Sequence, residues 1–165
     1  MVSTLAPSTS EDVVRFLPRG AALKAITCHD REILLEGPAG SGKTRPILEA
    51  IHLLATQKPG LRALICRKAA VTMTTTALVT FEKKVLRPQD GVRFFGGNDH
   101  EPAAYNYPNG SKILLGGMDD PAKFLSTQFD IIYVNEATEI DEGEWKTLKS
   151  RLRNFKIREQ QLIGD

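Results

Sequence analysis

Residues 37–44, GPAGSGKT, fit the pattern G-x-x-x-x-G-K-[ST] at every defined position. The short apolar run Ile33-Leu34-Leu35 comes just before this stretch and predicts a strand. Residues 43–57 place apolar side chains on one helical face and predict a helix directly after it. Glycines in such a turn let backbone N–H groups converge on phosphate oxygens, and the helix N-terminus adds a positive dipole end. The stretch therefore predicts a phosphate-binding loop between a strand and a helix.

The last residues of this loop have side chains suited to a nucleoside triphosphate. Lys43 is expected to reach the β- and γ-phosphates, and the Thr44 hydroxyl is expected to hold Mg²⁺. A glycine turn that matches the motif by chance is the alternative, and the flanking strand and helix make it the weaker interpretation. The predicted ligands are ATP and Mg²⁺, and the predicted nucleotide-binding residues are Gly37, Pro38, Ala39, Gly40, Ser41, Gly42, Lys43, Thr44 and Arg45.

A second apolar strand ends on an acid in the stretch DIIYVNEA, residues 130–137. Glu136 stands where a carboxylate can orient and activate water, so it is the predicted catalytic base. An acid that only stabilises a helix N-terminus is the alternative. Asn135 occupies the position where an aspartate is usual, and an asparagine accepts hydrogen bonds without adding negative charge. The predicted metal site is Thr44, Asn135 and Glu136, with weakened Mg²⁺ binding.

Strand and helix patterns alternate along the rest of the chain, which predicts an α/β fold with a mostly parallel sheet. A hairpin turned at residues 108–110 is predicted within it. The predicted strands are 61–66, 92–95, 129–135 and the final QLIGD, and the predicted helices are 69–86 and 142–154.

Composition indicates one globular domain, since 41% of the 165 residues are hydrophobic and 25% are charged. The net charge of +2 favours neither a nucleic acid nor a membrane partner. Cys28 and Cys66 are isolated and predicted to be reduced thiols. No membrane span or secretory signal is expected. Residues 1–17 are predicted to be a loosely ordered lead-in, and residues 18–165 the domain.

Beyond the phosphate loop, the chain resembles the ATPase domain of phage large terminase subunits, the motors that package DNA into procapsids. The resemblance spans roughly Pro18 to the last residue. It rests on GPAGSGKT and on four further segments in order, which are residues 59–86, 107–124 (YPNGSKILLGGMDDPAKF), 129–140 (FDIIYVNEATEI) and 145–153 (WKTLKSRLR).

The resemblance implies a P-loop NTPase of the ASCE type, in which the last strand lies between the phosphate-loop strand and the DIIYVNE strand. It also implies ATP hydrolysis, with Lys43 and Thr44 at the nucleotide and Glu136 as catalytic glutamate. The implied partners are double-stranded DNA, a portal or procapsid, a small terminase subunit and further copies in a ring, in the host cytoplasm. The family's nuclease domain has no counterpart here, so we expect an apparently truncated ATPase domain without nuclease activity.

Ring motors complete the site with an arginine that stabilises transition-state charge. Arg67, which follows the second strand, is the predicted catalytic arginine, and Arg151 and Arg153 are alternatives. For each, a solvated surface role remains open. The basic run 146–158 suggests DNA contact, but acids at the start of a helix (Asp141 and Glu144, in a capping-box spacing) and bases at its end give a local explanation, which we prefer.

Two other functions remain open at this stage. A phosphotransferase would use the same loop to phosphorylate a small acceptor. An assembly module would bind ATP without turnover, which Asn135 makes conceivable.

Overall fold

The structure is a computed structural model that describes residues 16–38, 40–73 and 77–165. Seven strands form one sheet in the order β1-β7-β6-β2-β5-β4-β3. Pairing is parallel from β1 across to β5, and β3 and β4 add an antiparallel edge. In chain order the strands are β1 Glu32–Leu34, β2 Arg62–Arg67, β3 Arg93–Phe95, β4 Ala104–Asn106, β5 Lys112–Gly117, β6 Ile131–Val134 and β7 Gln161–Gly164.

Helices lie between most consecutive strands, but in the described part of the chain none separates β3 from β4 or β4 from β5. Short 3₁₀ turns occupy Pro88–Asp90 and Ala137–Glu139, and a π-helical turn covers Phe81–Val85. No helix among the described residues is long and apolar enough to cross a membrane. The α-helices are α1 Gly20–Thr27, α2 Thr44–Gln57, α3 Ala70–Met73, α4 Ala77–Thr80, α5 Ala122–Leu125 and α6 Glu142–Lys149.

The core has two parts, one on each face of the sheet. Side chains alternate along a strand, so Ile65 of β2 joins one part and Leu64 joins the other. The first part packs the apolar face of α2 and the π-helical turn against the sheet. The second packs Phe124 and Leu148 against it. Burial on both faces explains why the central strands read as continuous apolar runs.

Asp130 is a fully buried carboxylate at the start of β6. It accepts hydrogen bonds from the Arg62 backbone N–H at 3.0 Å, the Asn154 side-chain amide at 2.6 Å and the Lys156 backbone N–H at 2.8 Å. A buried charge is tolerated only when its acceptor atoms are satisfied. Asp130 therefore ties the segment after α6 to the start of β2 and β6.

The predicted α/β class and mostly parallel sheet are confirmed, as is the position of the last strand between β1 and β6. The hairpin is confirmed as the antiparallel pair β4 and β5. Both cysteines are free thiols, and burial raises the pKa of Cys66 well above its usual range. Residues 1–15 of the predicted lead-in lie outside the described residues.

The predicted helix over 142–154 is wrong at its end, because α6 stops at Lys149. Backbone bonds from Phe129 take over: its N–H donates to Arg151 O at 2.8 Å and its carbonyl accepts from Arg153 N at 3.0 Å. At the start of α6, Asp141 and Glu144 form a capping box, in which each side chain accepts a hydrogen bond from the backbone N–H of the other residue. The predicted helix over 69–86 is not one uniform α-helix, since its end is the π-helical turn; residues 74–76 lie outside the described part.

Candidate active site

The loop between β1 and α2 has the backbone that its sequence demands. Gly40 and Gly42 have φ angles of +75° and +81°, in the left-handed region that side chains with a Cβ rarely adopt. Helix α2 begins at Thr44, so its first N–H groups face the loop. Ala39 of the predicted nucleotide site lies outside the described residues. The other loop residues form a turn suited to anions at a helix N-terminus.

A cleft of about 830 Å³ opens over this loop. Its size falls within the usual range of small-molecule sites. Lys43, Thr44 and Arg45 line it from the loop side, and Glu136 faces it from the end of β6. The structure therefore brings together most of the residues predicted separately from the two motifs. Residues that the sequence did not single out also line the cleft, namely Phe16, Glu36, Thr80, Lys84, Thr138 and Asp165.

Two cationic side chains beside the loop, Lys43 and Arg45, are held by nearby hydrogen-bond acceptors and by the Phe16 ring. The Lys43 ammonium donates to Gly37 O at 2.7 Å and to Pro38 O at 3.1 Å. The Arg45 guanidinium donates to Glu49 at 3.3 Å and lies 4.7 Å from the centroid of the Phe16 ring. Both positive groups thus lie beside the loop where phosphate charge would be neutralised.

Glu136 has a left-handed backbone, with φ of 57° and ψ of 59°. This conformation is uncommon for a residue with a Cβ, and it costs on the order of 1–3 kcal/mol unless neighbouring contacts compensate. Its N–H donates to Asp165 Oδ1 at 3.2 Å, and the N–H of Ala137 donates to Asp165 O at 2.8 Å. The side chain is exposed at the cleft. The backbone at this strand end is therefore fixed while the carboxylate faces solvent.

Asn135 is buried, with 3% of its surface exposed, and does not line the cleft. Its side-chain amide donates to Tyr133 Oη at 3.2 Å and to Asp165 Oδ1 at 3.1 Å. Burial raises the pKa of Tyr133 well above its usual range, so this hydroxyl stays protonated. Asn135 thus acts as a donor toward Asp165.

Thr44, at the start of α2, donates its hydroxyl hydrogen to Asp165 Oδ2 at 2.9 Å. Asp165 directly follows β7, whose register pairs Gly164 with Val134 on one side and with Leu34 on the other. The predicted strand order already places the end of QLIGD beside the loop. The acid that ends this segment was the signal that sequence reasoning missed.

The oxygen donors at this end of the sheet fit Mg²⁺, which prefers hydroxyl, carboxylate and phosphate oxygens and is often held by one or two protein groups plus the phosphates. Thr44, Asp165 and Glu136 all lie along the cleft. No group of three or more His, Cys, Asp or Glu side chains within the described ranges forms a dedicated metal site. The residues therefore fit a metal that arrives with a nucleotide.

Arg67 lies at the end of β2 and does not line the cleft. Its guanidinium forms two bonds with Glu139, from Nε at 2.9 Å and from Nη2 at 2.8 Å. These bonds lower the pKa of Glu139 and raise that of Arg67. Arg67 is thus held next to the 3₁₀ turn that follows Glu136. Arg151 is partly buried, and Arg153 is exposed in a separate cleft.

The basic run 146–158 begins within α6, and its first two lysines form local ion pairs. Lys146 is paired with Glu142 at 2.6 Å, and Lys149 is paired with Glu32 of β1. Trp145 also donates to Glu32, at 2.8 Å, and packs against the second part of the core. These contacts explain the first part of the run without a nucleic acid.

The family described as phage terminase large subunit matches residues 29–163. The chain belongs to this family. The matched range includes the loop, most of the residues that line the cleft, and Glu136. No curated protein sequence matches the chain.

Solved large terminases share the fold. The large terminase of a thermophilic bacteriophage superposes with a TM-score of 0.68 at 12% identity, covering 87% of this chain and 37% of its own. That enzyme has also been solved with ADP and with ATP-gamma-S. The large terminase ATPase domain of Thermus phage P74-26 superposes with a TM-score of 0.64 at 15% identity, covering 90% of this chain and 64% of its own. The Phi-28 gp11 DNA packaging motor superposes with a TM-score of 0.53 at 12% identity, covering 86% of this chain and 48% of its own.

The terminase chain described here therefore spans little more than a third of the length of the thermophilic phage enzyme. At these identities the likeness establishes a shared fold. The ASCE-type P-loop fold expected from the sequence is confirmed by it.

Proposed function

We propose that this chain is a Mg²⁺-dependent ATP-hydrolysing motor domain of a DNA-packaging terminase. The observation that carries the proposal is that one cleft holds the phosphate loop with its left-handed glycines, Thr44 at the start of α2 and the Glu136 carboxylate. Family membership and the nucleotide complexes of the thermophilic phage enzyme support it.

Each residue has a distinct task in this reaction. The loop N–H groups and Lys43 bind the phosphates. Thr44, Asn135 and Glu136 form the proposed Mg²⁺ site, in which the Thr44 hydroxyl holds the ion. When bound, Mg²⁺ neutralises charge that develops on the phosphate oxygens. Glu136 orients the attacking water and takes its proton. Arg67 stabilises the transition state after release from Glu139.

The proposed work is translocation of double-stranded DNA into a procapsid in the host cytoplasm. Its partners are the portal, a small terminase subunit and further copies of the motor in a ring. Family membership and the fold shared with the Phi-28 packaging motor support this role. ATP turnover by this chain does not require the nuclease activity of a longer terminase.

Phosphate release by the purified chain tests the proposal, with and without double-stranded DNA. Lys43→Ala should lose both nucleotide binding and release, because the phosphates lose their main cationic partner. Glu136→Gln should keep ATP-gamma-S binding while release falls at least about a hundredfold, as expected for loss of a general base. Glu142→Gln is the control: this exposed acid pairs with Lys146, away from the cleft, and should behave as wild type.

Unchanged release in both Lys43→Ala and Glu136→Gln would contradict the site assignment. Binding without release by the wild type would identify an assembly module. A phosphorylated acceptor in place of free phosphate would identify a phosphotransferase. If double-stranded DNA does not change the rate of phosphate release, the ATPase assignment stands and the proposed motor role is contradicted.

A further inference from the structure

The Asp165 side chain is held in one place by donors from α2 and β6 and by contact with the Tyr133 hydroxyl. The Thr44 hydroxyl donates to Oδ2 at 2.9 Å, and Oδ1 accepts from the Asn135 amide at 3.1 Å and from the Glu136 N–H at 3.2 Å. Its backbone is fixed as well, since its carbonyl accepts from Ala137 N at 2.8 Å. The carboxylate therefore connects the start of α2 with the end of β6.

The direction of the bond to Thr44 matters for metal binding. A hydroxyl has one hydrogen and two lone pairs, and only the lone pairs can face a cation. Donation of that hydrogen to Asp165 leaves only lone pairs on the remaining side of the Thr44 oxygen. The Tyr133 hydroxyl also lies in hydrogen-bond contact with Thr44 and Asp165, so at least one lone pair of Thr44 stays available for a metal ion. The nearby carboxylate also supplies the negative charge that a divalent cation requires.

P-loop NTPases usually take this charge from an aspartate at the end of the strand that here is β6. In this chain Asn135 stands there and donates its amide to Asp165. β6 and β7 are parallel neighbours paired through Val134 and Gly164, so the residues that follow each strand meet side by side. The carboxylate therefore follows β7 instead of the neighbouring β6, and it still lies at the carboxyl ends of the parallel strands.

We propose that Asp165 supplies the carboxylate of the Mg²⁺ site and that Asn135 is a positioning residue that orients it. This assignment rests on the proposed nucleotide-binding function. It changes the expected consequence of Asn135: the site keeps its negative charge, so Mg²⁺ binding need not be weak. The alternative is a purely structural contact that ties β7 to α2.

Calorimetric titration of ATP-gamma-S over a series of free Mg²⁺ concentrations separates these roles. Asp165→Asn keeps the shape of the side chain and removes its charge. The Mg²⁺ concentration that gives half of the full nucleotide affinity should rise by about 10–100-fold, the usual loss when a carboxylate that supports a metal ligand is removed. Affinity for the nucleotide in EDTA should be unchanged or higher. Asp120→Asn, which removes an exposed acid outside the cleft, is the control and should titrate as wild type.

A reciprocal exchange guards against a folding defect. The double variant Asn135→Asp with Asp165→Asn returns the carboxylate to β6 and keeps an amide-to-carboxylate bond between the two positions. Its Mg²⁺ requirement should return to within about threefold of wild type. A Mg²⁺ requirement of Asp165→Asn equal to that of wild type would overturn the assignment. If Asp165→Asn does not fold, the exchanged variant decides instead. An exchanged variant that folds but whose nucleotide affinity no longer responds to Mg²⁺ would overturn the assignment of Asp165.

Failure of the proposed function has a different signature. In that case the wild type would bind no ATP-gamma-S at any Mg²⁺ concentration. If the wild type binds and Lys43→Ala does not, an unaffected Asp165→Asn contradicts only the role of Asp165.

Discussion

His52, on α2, is enclosed between an acid and aromatic rings. Its Nε2 lies 3.2 Å from Asp90 Oδ2, and its Nδ1 lies 2.8 Å from Tyr107 Oη. The Phe81 ring packs edge-on against the imidazole, with the two ring centroids 6.2 Å apart. Burial lowers the pKa of His52 below its usual range, and the charge of Asp90 offsets this only in part. The neutral ring, with Nε2–H donating to Asp90, is therefore the form that the fold stabilises.

Stability should consequently fall in acid through this side chain. The unfolded chain takes up a proton near the ordinary histidine pKa of about 6.5, whereas the folded chain takes it up only at lower pH. The contribution of His52 is complete above pH of about 6.5 and is lost as the pH falls through the lowered folded pKa, by at most about 1.4 kcal/mol per pH unit.

Urea unfolding at about pH 7.5 and about pH 5.5 measures this loss. His52→Gln has no titrating ring, so its free energy of unfolding should fall less between the two pH values than that of wild type. His100→Gln, which removes an exposed histidine, should keep the wild-type difference. A loss in His52→Gln as large as in wild type would mean that other groups carry the pH dependence.

At the scale of elements, Asn109 in the hairpin turn caps the carboxyl end of helix α2. The Asn109 amide donates to Ala55 O at 2.9 Å and to Thr56 O at 3.0 Å, both carbonyls of the last helical turn. Its Oδ1 accepts from Ser111 N at 3.0 Å. One side chain thus joins the helix that follows the phosphate loop to the hairpin between β4 and β5.

Asn109→Ala should lower the free energy of unfolding by about 1–3 kcal/mol, because helix carbonyls and a backbone N–H lose their partner. Asn109→Asp keeps the acceptor for Ser111 but places negative charge at a helix C-terminus, so it should be at least as destabilising. Urea midpoints at constant m-value measure both effects. The exposed Gln89→Ala is the control and should match wild type; an Asp variant as stable as wild type would refute the contribution of the amide donors.

Element order was more predictable from sequence than element ends. Alternating apolar runs and glycine-rich turns were sufficient for the sheet and the hairpin, because these signals are local. The end of α6 depends on Phe129 pairing with residues 151–153, a contact that no local pattern announces. The π-helical turn, where Leu86 N donates to Phe81 O at 2.9 Å, likewise depends on packing rather than on helical spacing.

The site divides in the same way. Lys43, Thr44 and Glu136 follow from two motifs whose chemistry is written in consecutive residues. The part taken by Asp165 follows only from strand order and register, since it lies far along the chain from Thr44 and reaches it through β7. The pairing of Arg67 with Glu139 also needed the structure.

At the scale of the whole molecule, the cleft is built from β1, β6, β7 and α2, so a ligand there should stabilise the entire sheet. A ligand at a hundredfold excess over its dissociation constant adds roughly 2.7 kcal/mol, and each kcal/mol raises the melting temperature of a domain of this size by about 2–4 °C. Mg²⁺ with ATP-gamma-S should therefore raise the melting temperature by about 5–10 °C in a single transition.

Differential scanning calorimetry measures this shift, and Lys43→Ala at the same ligand concentration should show none. Two separate transitions, only one of which moves with ligand, would mean that the sheet does not unfold as a unit.

The central place of β7 has a consequence for synthesis on the ribosome. The phosphate loop is translated early, but among the described strands β1 pairs only with β7, which is translated after all the others. Pairings between distant parts of a chain form late, because the intervening residues must first be available and ordered. A nascent chain thus carries the whole nucleotide-binding motif while the strand beside it is still missing, and the cleft takes its shape only once Asp165 has been added.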